Sequence, residues 1–220
     1  MQRNNFTYLL AALLIFIVVL PVAHDLGVIS RPTGRFLAVT SLLAIGVWSL
    51  RGTGPLYIAS MCLAVAGIVL STAYIAGGIM LHYVLSQVSL FVFLGLATYN
   101  NLRQVAIGND MSANRIIGAI CVYLMLGVMW SVAYLVLEYS QPGSFAGVNE
   151  AAATPWDQDW LYFSFVTITT LGYGDMLPVS TTARSLALSE AVVGQFYIAV
   201  LVAGLVSAYI SAKPGAPGAD

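Results

Sequence analysis

Apolar residues run in long blocks along this chain, and short polar breaks with charged residues mark where each block stops. A helix needs about 20 apolar residues to cross roughly 30 Å of hydrocarbon, so the distance between charges predicts the spans. The first runs from about Phe6 to Ala23 and is followed by His24 and Asp25. The second, Phe36 to Leu50, lies between Arg35 and Arg51 and is short; snorkelling arginines or an earlier helix start make up the length. Between Arg51 and Arg103 there is no Lys, Arg, Asp or Glu. At about 1.5 Å per residue that stretch is too long for one crossing, and Gly77-Gly78 is the natural turn because glycine accepts a positive φ. This predicts a third helix from about Pro55 to Ala76 and a fourth from about Met80 to Tyr99. A fifth covers Ile116 to Leu137, with Ser112 or Asn114 as candidate caps, and a sixth covers Ser185 to Ser211, interrupted by one acid, Glu190.

Two segments break the pattern. From Glu138 to Asp159 the chain carries Pro142, Gly143, Gly147, Pro155 and the acids Glu150 and Asp157, and reads as an exposed loop. From Trp160 to Pro178 it is apolar and then rich in Thr and Gly, too short to cross and return as two helices. Irregular backbone at membrane depth is tolerated only where protein buries it or water lines it, so this segment is expected to be re-entrant at a pore or cavity.

Composition narrows the class. Of 220 residues 60% are hydrophobic and 8% charged, outside the range of a soluble domain. The apolar runs recur almost to Lys213-Pro214-Gly215, so neither a cleavable leader nor a C-terminal ligand-binding domain is expected. Cys62 and Cys121 both sit in apolar runs and offer no disulfide framework or zinc site. A net charge of -1 without a Lys/Arg block argues against a nucleic-acid partner. With no spaced intramembrane His/Asp/Glu cluster an enzyme is not expected, nor a cofactor, and the partners to expect are lipid, ions and further copies of the chain.

The chemistry lies in Val166-Thr167-Ile168-Thr169-Thr170-Leu171-Gly172-Tyr173-Gly174-Asp175. A cation stripped of water needs replacement oxygens, and stacked backbone carbonyls supply them if several chains present one extended strand to a common axis. Gly172 and Gly174 at alternating positions relieve the steric obstacle to that conformation. This run resembles the signature of the potassium-channel superfamily, and in particular bacterial members with six transmembrane helices, one pore loop and no voltage-sensor arginine ladder. Arg115-Ile116-Ile117-Gly118-Ala119-Ile120-Cys121 and Glu190-Ala191-Val192-Val193-Gly194-Gln195 are also similar to bacterial members, whereas the first hundred residues carry no such likeness.

The resemblance implies an all-α membrane protein: six transmembrane helices plus a re-entrant pore helix and extended selectivity filter, tetrameric around a central pore. Residues 1–101 would form a four-helix N-terminal membrane domain, 102–114 a cytoplasmic linker, 115–212 the pore domain and 213–220 a short cytoplasmic tail. It implies a potassium-binding filter at Thr170, Leu171, Gly172, Tyr173 and Gly174, the ion itself at the first four. Support would come from Tyr162, Thr167, Thr169 and Asp175. Tyr162 stands where the family commonly has Trp bonded to the acid after the filter, and a phenol offers the same bond. Val166 stands where some members have a buried Glu, and Leu171 replaces the commoner Val. Gly194 matches the inner-helix hinge, or else only allows close helix packing. Gln195, Ile198 and Val202 would line the cavity. Glu190 is an intramembrane acid that either has a functional part or bonds to pore-helix hydroxyls and serves only stability.

One pore loop per chain implies a homotetramer in the cell (inner) membrane, multi-pass, with both termini cytoplasmic. Arg3, Arg51, Arg103, Arg115 and Lys213 would then be inside, against Arg31, Arg35 and Arg184 outside. The fourth span has no arginine ladder, so voltage gating by that route is not expected. His82 and His24 are read as proton sensors or as plain interfacial residues. The expected function is passive potassium conduction; the alternatives are a weakly selective cation channel and a non-conducting regulatory subunit.

Overall fold

The computed structural model describes residues 5–28, 40, 55–107, 113–148 and 158–212. The expected second span, 36–50, and the expected tail, 213–220, lie outside these apart from Thr40. Helix α1 (Asn5–Leu14) continues through a π-helical turn (Ile15–Val19) into α2 (Leu20–Asp25). Pro21 explains the turn: it has no N–H for the carbonyl of Ile17 and its ring crowds that group. The backbone widens instead, with the N–H of Leu20 reaching back to the carbonyl of Ile15. Phe6, Leu9, Leu13 and Phe16, at spacings of three and four, form the buried stripe of this rod.

Helices α3 (Pro55–Gly77) and α4 (Met80–Ile107) form an antiparallel hairpin. Its turn falls at Gly77-Gly78, where Gly78 has φ +65°. The Ser89 hydroxyl donates to the carbonyl of Leu63 at 2.8 Å across the pair. Helix α4 extends beyond the expected end at Tyr99, and Asn100 and Asn101 are buried within it. Arg103 therefore lies on this helix, exposed near its end. Helix α5 (Ala113–Ser140) starts ahead of Asn114, which is thus inside the first turn and not a cap. Arg115 Nε donates to the carbonyl of Val105 at 2.6 Å, tying the start of α5 to the end of α4.

Helix α6 (Gln158–Ile168) is short, and α7 (Thr181–Ala212) follows it. Between them β2 (Leu177–Pro178) pairs antiparallel with β1 (Phe145–Ala146), Phe145 opposite Pro178. Five helical stretches among the described residues are long and apolar enough to cross a membrane: Phe6–Ala23, Ile58–Gly77, Leu81–Ala106, Asn114–Ser140 and Thr181–Leu201. Helix α5 is the hub, packed by α1, α4, α6 and α7. The larger core joins α1, α3, α4 and α5. A second cluster binds Tyr134 and Leu137 of α5, Phe145, Trp160 and Phe163 of α6, Met176, and Ala183 and Ala187 of α7. Its rings meet edge to face, Tyr134 on Phe163 at 4.9 Å and Phe145 on Trp160 at 5.0 Å between centroids.

Candidate functional site

Helix α6 places Asp159 in its first turn, where a carboxylate suits the positive end of the helix. Every helix end leaves four carbonyls without intrahelical partners. Here all four are taken up. Thr169 N and its hydroxyl reach Phe165 O at 3.2 and 2.6 Å. Leu171 N and Gly172 N share Val166 O at 2.9 and 3.3 Å, and Thr170 N reaches Thr167 O at 3.0 Å. The Tyr123 hydroxyl of α5 donates to Ile168 O at 3.1 Å.

The chain then becomes extended in an unusual way. Thr170 has φ +59°, Gly172 φ +59° and Gly174 φ +81°, while Leu171 and Tyr173 between them stay at negative φ. Alternation of that sign is what a strand requires if successive carbonyls are to point the same way. The glycines adopt it freely, with open space around both. Thr170 is the one non-glycine residue at positive φ among those described, a β-branched outlier that costs about 1–2 kcal/mol. Strain of this kind persists only where surrounding contacts hold it, and it is found at functional sites.

Thr169 through Asp175 are exposed in the single chain. Tyr173 leans back on α6, its ring parallel to that of Tyr162 at 6.3 Å and 7°. The Tyr162 hydroxyl donates to Asp175 Oδ2 at 2.6 Å. That bond holds the Asp175 carboxyl below the usual carboxylate range, and it pushes the Tyr162 phenol up to about 12. Partial burial, and then the neighbouring Asp175 charge, raise Asp159. Thr167 lies half-buried on α6.

The loop after α5 grips the strand's far end. Glu138 accepts bonds from Gly143 N at 2.7 Å and Phe145 N at 3.2 Å, which shapes the turn into β1. Gly147 has φ +82°, and a Cβ there would fall 2.0 Å from the carbonyl oxygen of Asp175. Only glycine fits on either ground.

Helix α7 buries a narrow stripe of Ala183, Ala187, Glu190 and Gly194. A Cβ on Gly194 would lie 2.6 Å from Ile168 Cγ1 and 2.9 Å from Ile168 O, so α7 packs against the very end of α6. Gln195 and Ile198 are exposed on α7; the side chain of Val202 is outside the described residues. Glu190 Oε1 lies 2.5 Å from the Ser164 hydroxyl of α6, and Glu190 Oε2 accepts from the Tyr134 hydroxyl of α5. The stacked pair Tyr123 and Tyr197, 5.9 Å apart, adds a bond from Tyr197 to Ala119 O at 2.7 Å.

Sequence reasoning missed Tyr123, Tyr134, Ser164 and Gly147. A phenol in an apolar helix was the available signal for the tyrosines, since a buried hydroxyl needs a partner.

Residues 128–211, from inside α5 to the end of α7, match a family described as ion channel. Two pore potassium channel c of Oryza sativa subsp. japonica is 34% identical over 85 residues, 39% of this chain and 17% of its own. The inward rectifier potassium channel Kirbac3.1 of Paramagnetospirillum magnetotacticum is 33% identical over 82 residues, 36% of this chain and 24% of its own. Two pore potassium channel b of the same rice is 36% identical over 95 residues, 40% of this chain and 24% of its own. The matched segments thus span a quarter or less of these curated relatives. No solved structure matches the chain. The family match covers the second half of α5, the strained strand and α7, and the likeness is to channels and not to enzymes.

Proposed function

We propose that this chain is one subunit of a potassium-selective channel, in which the ion passes down its gradient through rings of backbone carbonyls. The alternating φ at Thr170, Gly172 and Gly174, between two spanning helices, carries this reading. Four copies around one axis would bring the carbonyls of Thr170, Leu171, Gly172 and Tyr173 to the ion in place of its water, with the Thr170 hydroxyl adding an oxygen at the inner end. The backbone does the binding, so the Tyr173 side chain is free to brace the strand against Tyr162. The likeness to proteins named as potassium channels supports the choice of ion.

In this reading residues 36–50 form the second of six spans, and both termini face the cytoplasm of the cell (inner) membrane. Gln195, Ile198 and Val202 line the cavity below the filter, and Gly194 is a candidate gate hinge. Three aligned positions on one helical face are consistent with that lining. The fourth span carries a single arginine near its end, which supplies too little gating charge for steep voltage dependence.

Flux through the purified protein in liposomes tests the reading. Potassium flux is expected in the wild type, abolished by Gly172→Asp and far smaller when sodium replaces potassium. Equal flux of both ions would make it a weakly selective pore. Flux that appears only with a second channel protein would make it a regulatory subunit.

A further inference from the structure

Glu190 lies on α7 inside a spanning segment and has no exposed surface. An isolated carboxylate there is costly unless it is paired. The groups that act on it are the Ser164 hydroxyl of α6 and the phenols Tyr134 and Tyr123 of α5. Among the described residues no cationic side chain of α5, α6 or α7 acts on it.

The contacts around it form a chain whose protons can be counted. Tyr134 OH meets Glu190 Oε2, Glu190 Oε1 meets Ser164 Oγ at 2.5 Å, and Ser164 Oγ meets Gly127 O of α5 at 2.7 Å. Three hydrogen bonds need three protons. Each hydroxyl brings one, and a backbone carbonyl brings none. With an ionised Glu190 the chain is one proton short. Ser164 would then face either Gly127 O or Glu190 Oε1 lone pair to lone pair at hydrogen-bond distance. The neutral acid closes the count: Tyr134 donates to Oε2, Oε1–H donates to Ser164, and Ser164 donates to Gly127 O.

The geometry points to Glu190 as a proton-binding positioning residue, its bound proton completing a clasp between α5, α6 and α7 behind the candidate filter. Ser164 is one turn before Ile168, the last residue of α6, and Glu190 is one turn before Gly194, which packs on Ile168. The clasp therefore fixes the helix that carries the strained strand against the helix proposed to line the pore. Loss of the proton removes one of the three bonds and leaves a buried charge without a cation, so α6 is expected to loosen from α7 at alkaline pH. Only this consequence for conduction rests on the channel reading.

Infrared spectroscopy of the purified full-length protein in detergent tests the proton directly. The carbonyl stretch of a protonated carboxylic acid is expected in the wild type at neutral pH, absent from Glu190→Gln and lost as the wild type is made alkaline; its absence from the wild type at neutral pH overturns the proposal. Glutamine supplies the third proton from an amide that does not titrate. The alkaline half-points of thermal unfolding and of potassium flux are thus expected at higher pH in Glu190→Gln than in the wild type. Coincident half-points overturn the positioning part. If neither protein passes potassium, the channel reading fails, while the infrared band and the unfolding half-point still decide on the proton site.

Discussion

Tyr162 and Asp175 join two side chains beside the candidate filter, and their titration bears on its pH dependence. The bond lowers the Asp175 carboxyl, so the stability it adds is complete above the ordinary carboxylate value, about 4, and is lost as pH falls through the lowered value. It raises the Tyr162 phenol, so the same contribution is complete below the ordinary tyrosine value, about 10, and is lost as pH rises through about 12. Wild-type flux is therefore expected to be insensitive to this pair from about pH 5 to 9 and to fall in stronger acid. Tyr162→Phe is expected to reduce selective flux across the whole range, because the phenol is missing at every pH. Flux measured in liposomes at stepped pH checks both. Any fall of flux between neutral and alkaline pH inside that window belongs to a different group, and Glu190 is the one proposed.

At the scale of elements, the contact of α7 with the end of α6 decides where the candidate filter sits. Sequence left Gly194 open between hinge and packing site, and the structure brings it against Ile168 so closely that even a methyl group does not fit. Gly194→Ala must push α7 from α6 or deform the last turn of α6. Overpacking of this kind costs about 1–3 kcal/mol. A lower thermal midpoint of the detergent-solubilised protein is expected, together with reduced flux. An unchanged midpoint would mean that the helices separate there at no cost. The β1–β2 pairing acts at the other end of the strand. It ties the loop after α5 to the residues after Asp175, as does Ser144 O, which accepts from Val179 N at 2.9 Å and Ser180 N at 3.2 Å.

For the whole molecule, α7 leaves an apolar ridge uncovered: Leu188, Val192, Phe196 and Val200 recur every fourth residue. In a spanning helix lipid covers such a ridge as well as protein does, so the ridge alone does not count chains. The proposed filter chemistry would, because carbonyls from one chain reach an ion from one side only. The native mass of the detergent complex is expected to equal four chains. Phe196→Glu is expected to lower that mass or the amount of assembled protein, because a carboxylate in a helix interface or in lipid costs several kcal/mol. A wild-type mass of one chain would remove the pore reading.

The spacing of charges, with the Gly77-Gly78 turn, located helices from about Phe6, Pro55, Met80, Ile116 and Ser185, the last two of which begin at Ala113 and Thr181, because crossing a bilayer imposes a length that composition reveals locally. The run from Thr167 to Asp175 likewise marked the candidate site, since a carbonyl-lined strand needs its glycines at fixed positions. Apart from the Tyr162–Asp175 bond, which the resemblance implied, sequence did not reveal which neighbours these residues meet. Helices that are apolar on every side give no pattern from which their buried face can be read, and their rotation is set by packing with other helices. That packing put Gly194 on Ile168, gathered Tyr134, Ser164 and Gly127 around Glu190, and laid Gly147 against Asp175. It also holds Thr170 at a positive φ that its own β-branched side chain disfavours, which only contacts from the rest of the fold can sustain.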